Sequence, residues 1–142
     1  MRKTIPVLVL MCLTLVLVAC NEVKYADRTL KTVEALYTTA HAASNQVWED
    51  TTIPAADRVA FKEKMLPVLG STEGAITAGN VALQAYISAK TDDNRSALLK
   101  AITSVVGNAM KMLDTYNRTA KNIGKEEIVV PDELASAFGL LK

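Results

Sequence analysis

The sequence predicts an all-α protein: an antiparallel up-down-up bundle of three helices, with a kinked second helix and a short C-terminal helix. Three long segments place apolar residues at alternating three- and four-residue steps, which is the spacing of one helix face. Short polar connections separate these segments, so consecutive helices are expected to be antiparallel neighbours. No β-hairpin signal competes with this pattern.

The first helix is predicted over about residues 22–48. Asp27 precedes Lys31 in the favourable i,i+4 order on the polar face. Glu49 and Asp50 oppose the dipole of a helix C-terminus, and the Thr-Thr-Ile-Pro sequence that follows predicts a stop and a restart with a threonine cap. The apolar stripe of this helix consists of Val23, Ala26, Leu30, Val33, Tyr37, Ala40, Ser44 and Val47.

The second helix is predicted over residues 54–89. Pro67 removes one backbone hydrogen bond and clashes with the carbonyl four residues earlier, so we expect a kink or a full break within residues 63–72. We favour one bent helix. The alternative is two helices, with Ser71 or Thr72 capping the second.

The third helix is predicted over residues 92–122. Asp92 and Asp93 supply negative charge at its N-terminus, and Gly124 is a plausible C-cap. A proline then opens a short final helix, which we expect over residues 131–138.

Residues 1–19 are predicted to be a secretory signal peptide. The basic pair Arg2 and Lys3 precedes an apolar run over residues 5–18. As a helix, residues 5–19 span roughly 22 Å, which is short of the roughly 30 Å of hydrocarbon in a bilayer. A permanent transmembrane helix is therefore the weaker interpretation.

The sequence Leu17-Val18-Ala19-Cys20 resembles the lipobox of bacterial lipoproteins, and the resemblance covers the first 20 residues. It implies that the Cys20 thiol carries a diacylglycerol, that the peptide is cut before Cys20, and that the new amino terminus receives an acyl chain such as palmitate. Two or three chains on one residue give stable anchoring. Because Asn21 stands where aspartate marks inner-membrane retention, the resemblance implies the outer membrane, facing the periplasm, in a diderm host.

Residues 20–142 are predicted to form one lipid-anchored domain. Cys12 leaves with the signal peptide and Cys20 is lipidated, so no thiol is left for a disulfide or a metal. Removing Arg2 and Lys3 from the 16 basic residues leaves 14 against 15 acidic ones. The charge is nearly balanced and no basic run stands out, so nucleic acid is not an expected partner.

We predict no metal and no cofactor, apart from the acyl chains on Cys20. His41 is the only histidine, and a single histidine without a free thiol cannot form a structural zinc site. Haem held by His41 and Met65, Met110 or Met112 is a weaker alternative, because methionines at helical spacing usually fill a core.

The sequence also predicts that the protein is not an enzyme. No nucleophile elbow, Walker loop or His-Glu-x-x-His motif is present, and aromatic residues, at 5%, are too few for a typical sugar-binding cleft. The Asn117-Arg118-Thr119 sequon is interpreted as chance. Four acidic pairs fall at predicted helix ends or loops, where capping and solvation explain them: Glu49-Asp50, Asp92-Asp93, Glu126-Glu127 and Asp132-Glu133.

The candidate partner-binding residues are Trp48, Gly70, Gly74 and Ala78. Small residues recur every four positions on the second helix and allow another helix to approach closely. They serve either packing within the bundle or a surface for a partner helix or for self-association. Trp48 is either a plug in the core or an exposed anchor for a partner.

The leading interpretation is a non-enzymatic lipoprotein that acts as a helical interaction or structural module in the bacterial envelope, with a protein partner there. The succession of lipobox, helix, Ile-Pro-led second helix and Ala-rich hairpin is similar to small helical lipoproteins of bacterial and prophage genomes, which implies an envelope or phage-related role. Structural support, secretion-system assembly and phage exclusion stay open. The alternative is a small-ligand carrier with its site between helices at residues 67–74.

Overall fold

A computed structural model describes the backbone of residues 5–130 and 132, and the side chains of residues 21–130 and 132. These residues form three helices and no strand: α1 (Ile5–Glu49), α2 (Ala55–Ser88) and α3 (Asp92–Asn122). The predicted all-α class is confirmed for this part of the chain. The predicted helix at 131–138 lies outside the described residues, apart from Asp132.

α1 runs without a break from the predicted signal segment into the rest of the chain. It therefore begins well before the predicted residue 22. The physical reason is that residues 5–22 contain no glycine, and their one proline, Pro6, lies in the first turn, where a proline is tolerated. The end of α1 at Glu49 agrees with the prediction to within one residue.

The start of α2 differs in its cap from the prediction. Pro54 itself is the N-cap residue and offers no side-chain hydrogen bond. Thr52 bonds instead to the Asp50 carboxylate, through its backbone N–H at 2.9 Å and its hydroxyl at 2.5 Å. The threonine thus stabilises the turn that precedes the helix, and the Pro54 carbonyl accepts from the N–H of Asp57 at 3.0 Å and of Arg58 at 3.1 Å.

α2 continues through Pro67 as one helix, so the alternative of two separate helices is wrong. Pro67 is exposed, whereas the next two residues, Val68 and Leu69, are buried. The proline ring therefore occupies the solvent side of the helix.

Both ends of α3 follow their local signals, and its bounds coincide with the prediction. The Thr91 hydroxyl accepts from the N–H of Asn94 at 3.2 Å, which caps the N-terminus. Gly124 has a φ of +69°, and the N–H groups of Gly124 and Lys125 bond to the carbonyls of Lys121 and Ala120 at 3.2 and 2.9 Å. These two bonds form a Schellman motif.

The core lies between the three helices, each of which contacts the other two. Phe61 on α2 meets Tyr116 on α3 edge to face, with ring centroids 5.9 Å apart. Thr72 is fully buried, and its hydroxyl bonds to the Val68 carbonyl at 2.7 Å and to the Asn108 carbonyl of α3 at 3.2 Å. A buried polar group is thus satisfied across the α2–α3 contact.

Candidate functional site

The predicted small-residue ridge lies on the solvent side of α2. Gly70, Gly74 and Ala78 are all exposed, and a Cβ added at either glycine would meet no atom within 4 Å. These three residues therefore do not provide packing within the bundle. Together with Leu66 and Val81, which continue the same helical spacing, they form what we call the α2 outer face.

The α2 outer face is apolar and nearly uncharged. Leu66 is 49% exposed and Val81 is 65% exposed. Glu73 is the only charged residue in positions 66–88. Burial raises the pKa of the Tyr37 hydroxyl, and the adjacent Glu73 carboxylate raises it further, which places Glu73 beside α1. Most of the exposed side of α2 therefore lacks the charged groups that usually cover a solvent-facing helix.

Gly79 is a small residue of α2 that packs tightly inside the bundle. It is buried, and a Cβ at this position would lie 2.7 Å from Leu30 Cδ2 of α1 and 3.0 Å from Val105 Cγ2 of α3. The helices therefore approach closely at Gly79, which lies beside the series of small residues at four-residue spacing.

Trp48 is neither a full core plug nor a free surface ring. It is partly buried beside the core near the end of α1. The Lys62 ammonium lies 5.3 Å from the centroid of its ring, a cation–π geometry. Arg58 Nη1 donates to the Trp48 carbonyl at 3.1 Å. Two cations of α2 therefore flank the tryptophan that the sequence singled out.

A cavity of about 260 Å³ opens at this place, which we call the Trp48 cavity. It is lined by Trp48, Ala55, Arg58, Val59 and Lys62. The Trp48 indole N–H and the Arg58 Nε–H are buried and have no acceptor among the described atoms. The cavity thus combines an aromatic ring with two cations, and two of its lining residues carry buried donors without an acceptor among the described atoms.

Sequence reasoning missed Arg58 and Lys62. Their four-residue spacing at the start of α2 places them on one face of that helix. The chain reverses between Trp48 and Ala55, so this face comes back beside the tryptophan. A cation pair one turn after a predicted helix break was therefore the available signal.

A polar cluster joins the three helices at the other end of the described bundle. The Glu22 carboxylate accepts from Tyr86 Oη at 3.0 Å and from Arg95 Nε at 2.7 Å. The hydrogen bond from Arg95 lowers the pKa of Glu22, against the opposing effect of burial. Burial raises the pKa of Tyr86, and the hydrogen bond to Glu22 adds to that effect. This cluster was not predicted from the sequence.

Asp50, Asp92 and Asp93, from two of the acidic pairs, take structural positions. The Asp50 carboxylate accepts from Lys125 Nζ at 2.6 Å, and this bond together with those from Thr52 holds the pKa of Asp50 well below its usual range. Asp92 and Asp93 occupy the first turn of α3. Glu133 lies outside the described residues, so the fourth pair is described only at Asp132.

The residues considered for haem differ in their exposure. His41 is exposed and stacks on Tyr37, with ring centroids 5.8 Å apart. Met65 and Met112 are fully buried in the core, and Met110 is partly buried. Within residues 21–130 and 132, no group of three or more histidine, cysteine or acidic side chains could hold a metal ion.

Asn117, the asparagine of the sequon, makes two hydrogen bonds that stabilise the fold. Asn117 Nδ2 donates to the Ile128 carbonyl at 3.0 Å, and the Ile128 N–H donates to Asn117 Oδ1 at 2.8 Å. This pair of bonds fixes the segment after α3 against α3 itself.

Two further cavities lie at the same end of the bundle as the Trp48 cavity. One, of about 340 Å³, is lined by residues from the C-terminal part of α1, by Tyr116 and by residues 125–128. The other, of about 350 Å³, is lined by Lys64 and by residues of the last turns of α3. None of the three cavities is lined by residues 67–74, where the carrier alternative expects its site.

In the part of the chain whose side chains are described, no helix is long and apolar enough to cross a membrane. Comparison of the chain with protein-family models, with curated proteins and with solved structures finds no match.

Proposed function

We propose that this protein is a non-enzymatic lipoprotein that acts as a helical interaction or structural module in the bacterial envelope. Cys20 holds it to the membrane through covalent acyl chains, and the α2 outer face contacts a protein partner. In a diderm host the anchored side is the periplasmic face of the outer membrane. The lipobox-like sequence at residues 17–20 supports the anchor.

The helices of this module run up, down and up. Three bonds between distant parts of the chain support that arrangement. Glu22, among the first residues of α1 whose side chains are described, meets Tyr86 near the end of α2. Glu34 meets Asn80 at 3.0 Å, and Asp50 after α1 meets Lys125 after α3. We also propose that α2 bends at Pro67, because an interior proline usually kinks a helix. A short helix at residues 131–138 completes the proposed fold.

The observation that carries the interaction role is the apolar α2 outer face. Single exposed apolar residues are common on protein surfaces, but exposed apolar residues that form a contiguous patch mark a surface for a partner. The central glycines have open space where a side chain would lie, so a partner helix can approach the backbone of α2 closely. α3 differs, because it has buried and charged sides and follows the usual amphipathic pattern.

Site-directed crosslinking in native membranes tests the proposal. If Cys12 is removed and Cys20 is lipidated, an introduced cysteine is the only free thiol of the mature chain. We expect Gly74→Cys and Val81→Cys to give higher-mass products with a thiol–amine crosslinker, because a partner covers these positions. The products are read on denaturing gels and identified by mass spectrometry.

Gly107→Cys is the matched control, since Gly107 is an exposed helical glycine of α3 whose Cβ would also meet no atom within 4 Å. Equal crosslinking at positions 74 and 107, or no product at 74 and 81, would contradict the role of the α2 outer face.

A further inference from the structure

We propose that the Trp48 cavity binds a carboxylate side chain from an acidic segment of the protein partner, with a neighbouring apolar side chain of that segment resting on Trp48 and Val59. The inference rests on the proposed function and deepens it, because it names the chemistry of the partner at a second surface. Four features of the cavity carry it: its charge, its unpaired donors, its size and its place on the molecule.

The charge of the cavity is positive and is not neutralised from within the described residues. Arg58 and Lys62 both line it, and neither takes part in an ion pair of residues 21–130. The Asp50 carboxylate in the adjoining turn is bonded to Lys125 and Thr52 instead. Ala55 at the positive end of α2 and Trp48 at the negative end of α1 both line the cavity, so the two helix dipoles oppose each other and the positive charge is that of Arg58 and Lys62.

Two hydrogen-bond donors that belong to lining residues of the cavity have no acceptor among the described atoms. The Trp48 indole N–H and the Arg58 Nε–H are buried without a protein partner, and a buried polar group left unpaired costs free energy. An ionised carboxylate offers two oxygens that accept several bonds, and a guanidinium donates to it through a planar fork. A carboxylate therefore matches the positive charge of Arg58 and Lys62, which line the cavity.

The remaining lining is apolar. The Val59 side chain is 57% exposed, and the methyl of Ala55 and the Trp48 ring complete this part of the surface. A volume of about 260 Å³ lies below the roughly 300–1,000 Å³ of pockets that enclose a small organic ligand. One acidic side chain with an apolar neighbour fits this space, and tryptophan and arginine are the residue types that dominate binding energy at protein interfaces.

The place of the cavity favours a protein segment over the lipid headgroups of the anchoring membrane. Trp48 lies 28 residues after Cys20 on the same helix, which is about 40 Å along the axis. The cavity therefore lies at the end of the bundle that is remote from the anchor. A protein partner can reach it there, whereas the headgroups of the anchoring membrane cannot.

Trp48 is the only tryptophan of the chain, so its fluorescence reports binding at this cavity directly. The test is a titration of the purified full-length protein in detergent with the acetylated and amidated peptide Leu-Glu-Leu. We expect a saturable change in emission that is absent with Leu-Gln-Leu and that weakens as salt is added.

Arg58→Gln and Lys62→Gln should each weaken the apparent affinity for Leu-Glu-Leu, by about tenfold for Arg58. Lys64→Gln is the matched control, because it removes the same charge from the same helix outside this cavity, and it should bind like the unaltered protein. Circular dichroism checks that each variant is folded. If Arg58→Gln unfolds, the affinity of Lys62→Gln is compared with that of Lys64→Gln instead.

Equal responses to Leu-Glu-Leu and Leu-Gln-Leu, or no response to either, would overturn the inference. So would a stronger response to inorganic phosphate, or to vesicles of anionic phosphatidylglycerol, since these point to a phosphate ligand or to a membrane. If crosslinking at Gly74 and Val81 still succeeds in any of these cases, the proposed function stands and only this inference fails.

Discussion

At the scale of single residues, the glycines of α2 have two different roles. Gly79 is buried between Leu30 and Val105, where a methyl group would overlap both side chains. Gly74 lies on the exposed side of the same helix with open space around it. A glycine inside a helix costs about 0.5–1 kcal/mol relative to alanine. Close packing explains the glycine at 79, and we propose that the partner surface explains the glycine at 74.

We expect Gly79→Ala to lower the free energy of unfolding by about 1 kcal/mol, because overpacking the core outweighs the gain in helix propensity. Gly74→Ala should raise it by about 0.5–1 kcal/mol. Urea unfolding followed by circular dichroism measures both. Gly107→Ala is the control for an exposed helical glycine and should resemble Gly74→Ala. Similar stabilisation at 79 and 74 would contradict the close packing at Gly79.

The sequence singled out Trp48 but not its surroundings. Its position near the end of a helix follows from local signals, whereas its contacts with Arg58 and Lys62 depend on how the chain reverses between α1 and α2. The same limit explains why Gly70 and Gly74 were correctly noted as small but could not be assigned to a side of the helix. That choice depends on which side faces α1 and α3, which is a tertiary property.

At the scale of elements, α3 was predicted more completely than α1 or α2. Its first-turn carboxylates and Gly124 were predicted because they are local features. The Thr91 cap, which was not predicted, is local as well. The start of α2 was less predictable, because Thr52 bonds to Asp50 in the preceding turn instead of capping the helix. The apolar residues on both sides of α2 also weaken the periodic signal that identifies a buried face.

Pro67 provides the test of α2 as one element. Because α2 is continuous through this position, we expect Pro67→Ala to restore one backbone hydrogen bond and to raise the free energy of unfolding by about 1–3 kcal/mol. Thermal and urea unfolding measure the change. Ala78→Gly, at an exposed position of the same helix, is the control and should be destabilising by up to about 1 kcal/mol. Marked destabilisation by Pro67→Ala would instead indicate that the proline terminates a turn.

At the scale of the whole molecule, the helical class and the three segments could be predicted, but the bonds that join them could not. Glu22 contacts residues 64 and 73 positions later in the chain, and no local pattern specifies such partners. The cluster ties α1 to α2 and α3 only two residues after Cys20. In the proposed orientation, this end of the bundle is therefore held together closest to the lipid anchor, and the Trp48 cavity lies at the opposite end.

The anchor itself gives the last prediction. Lipid attachment in the lipobox interpretation uses the thiol of Cys20, and cleavage follows that attachment, so Cys20→Ala should leave a precursor that keeps residues 1–19 and takes up no labelled palmitate. Intact-mass spectrometry and metabolic labelling measure the two results. Cys12→Ala is the matched control, because in this interpretation Cys12 leaves with the signal peptide, so its variant should mature normally. Normal cleavage and lipid labelling of Cys20→Ala would contradict the lipoprotein assignment, whereas loss of both in that variant alone would identify Cys20 as the attachment point that fixes which end of the bundle faces the membrane.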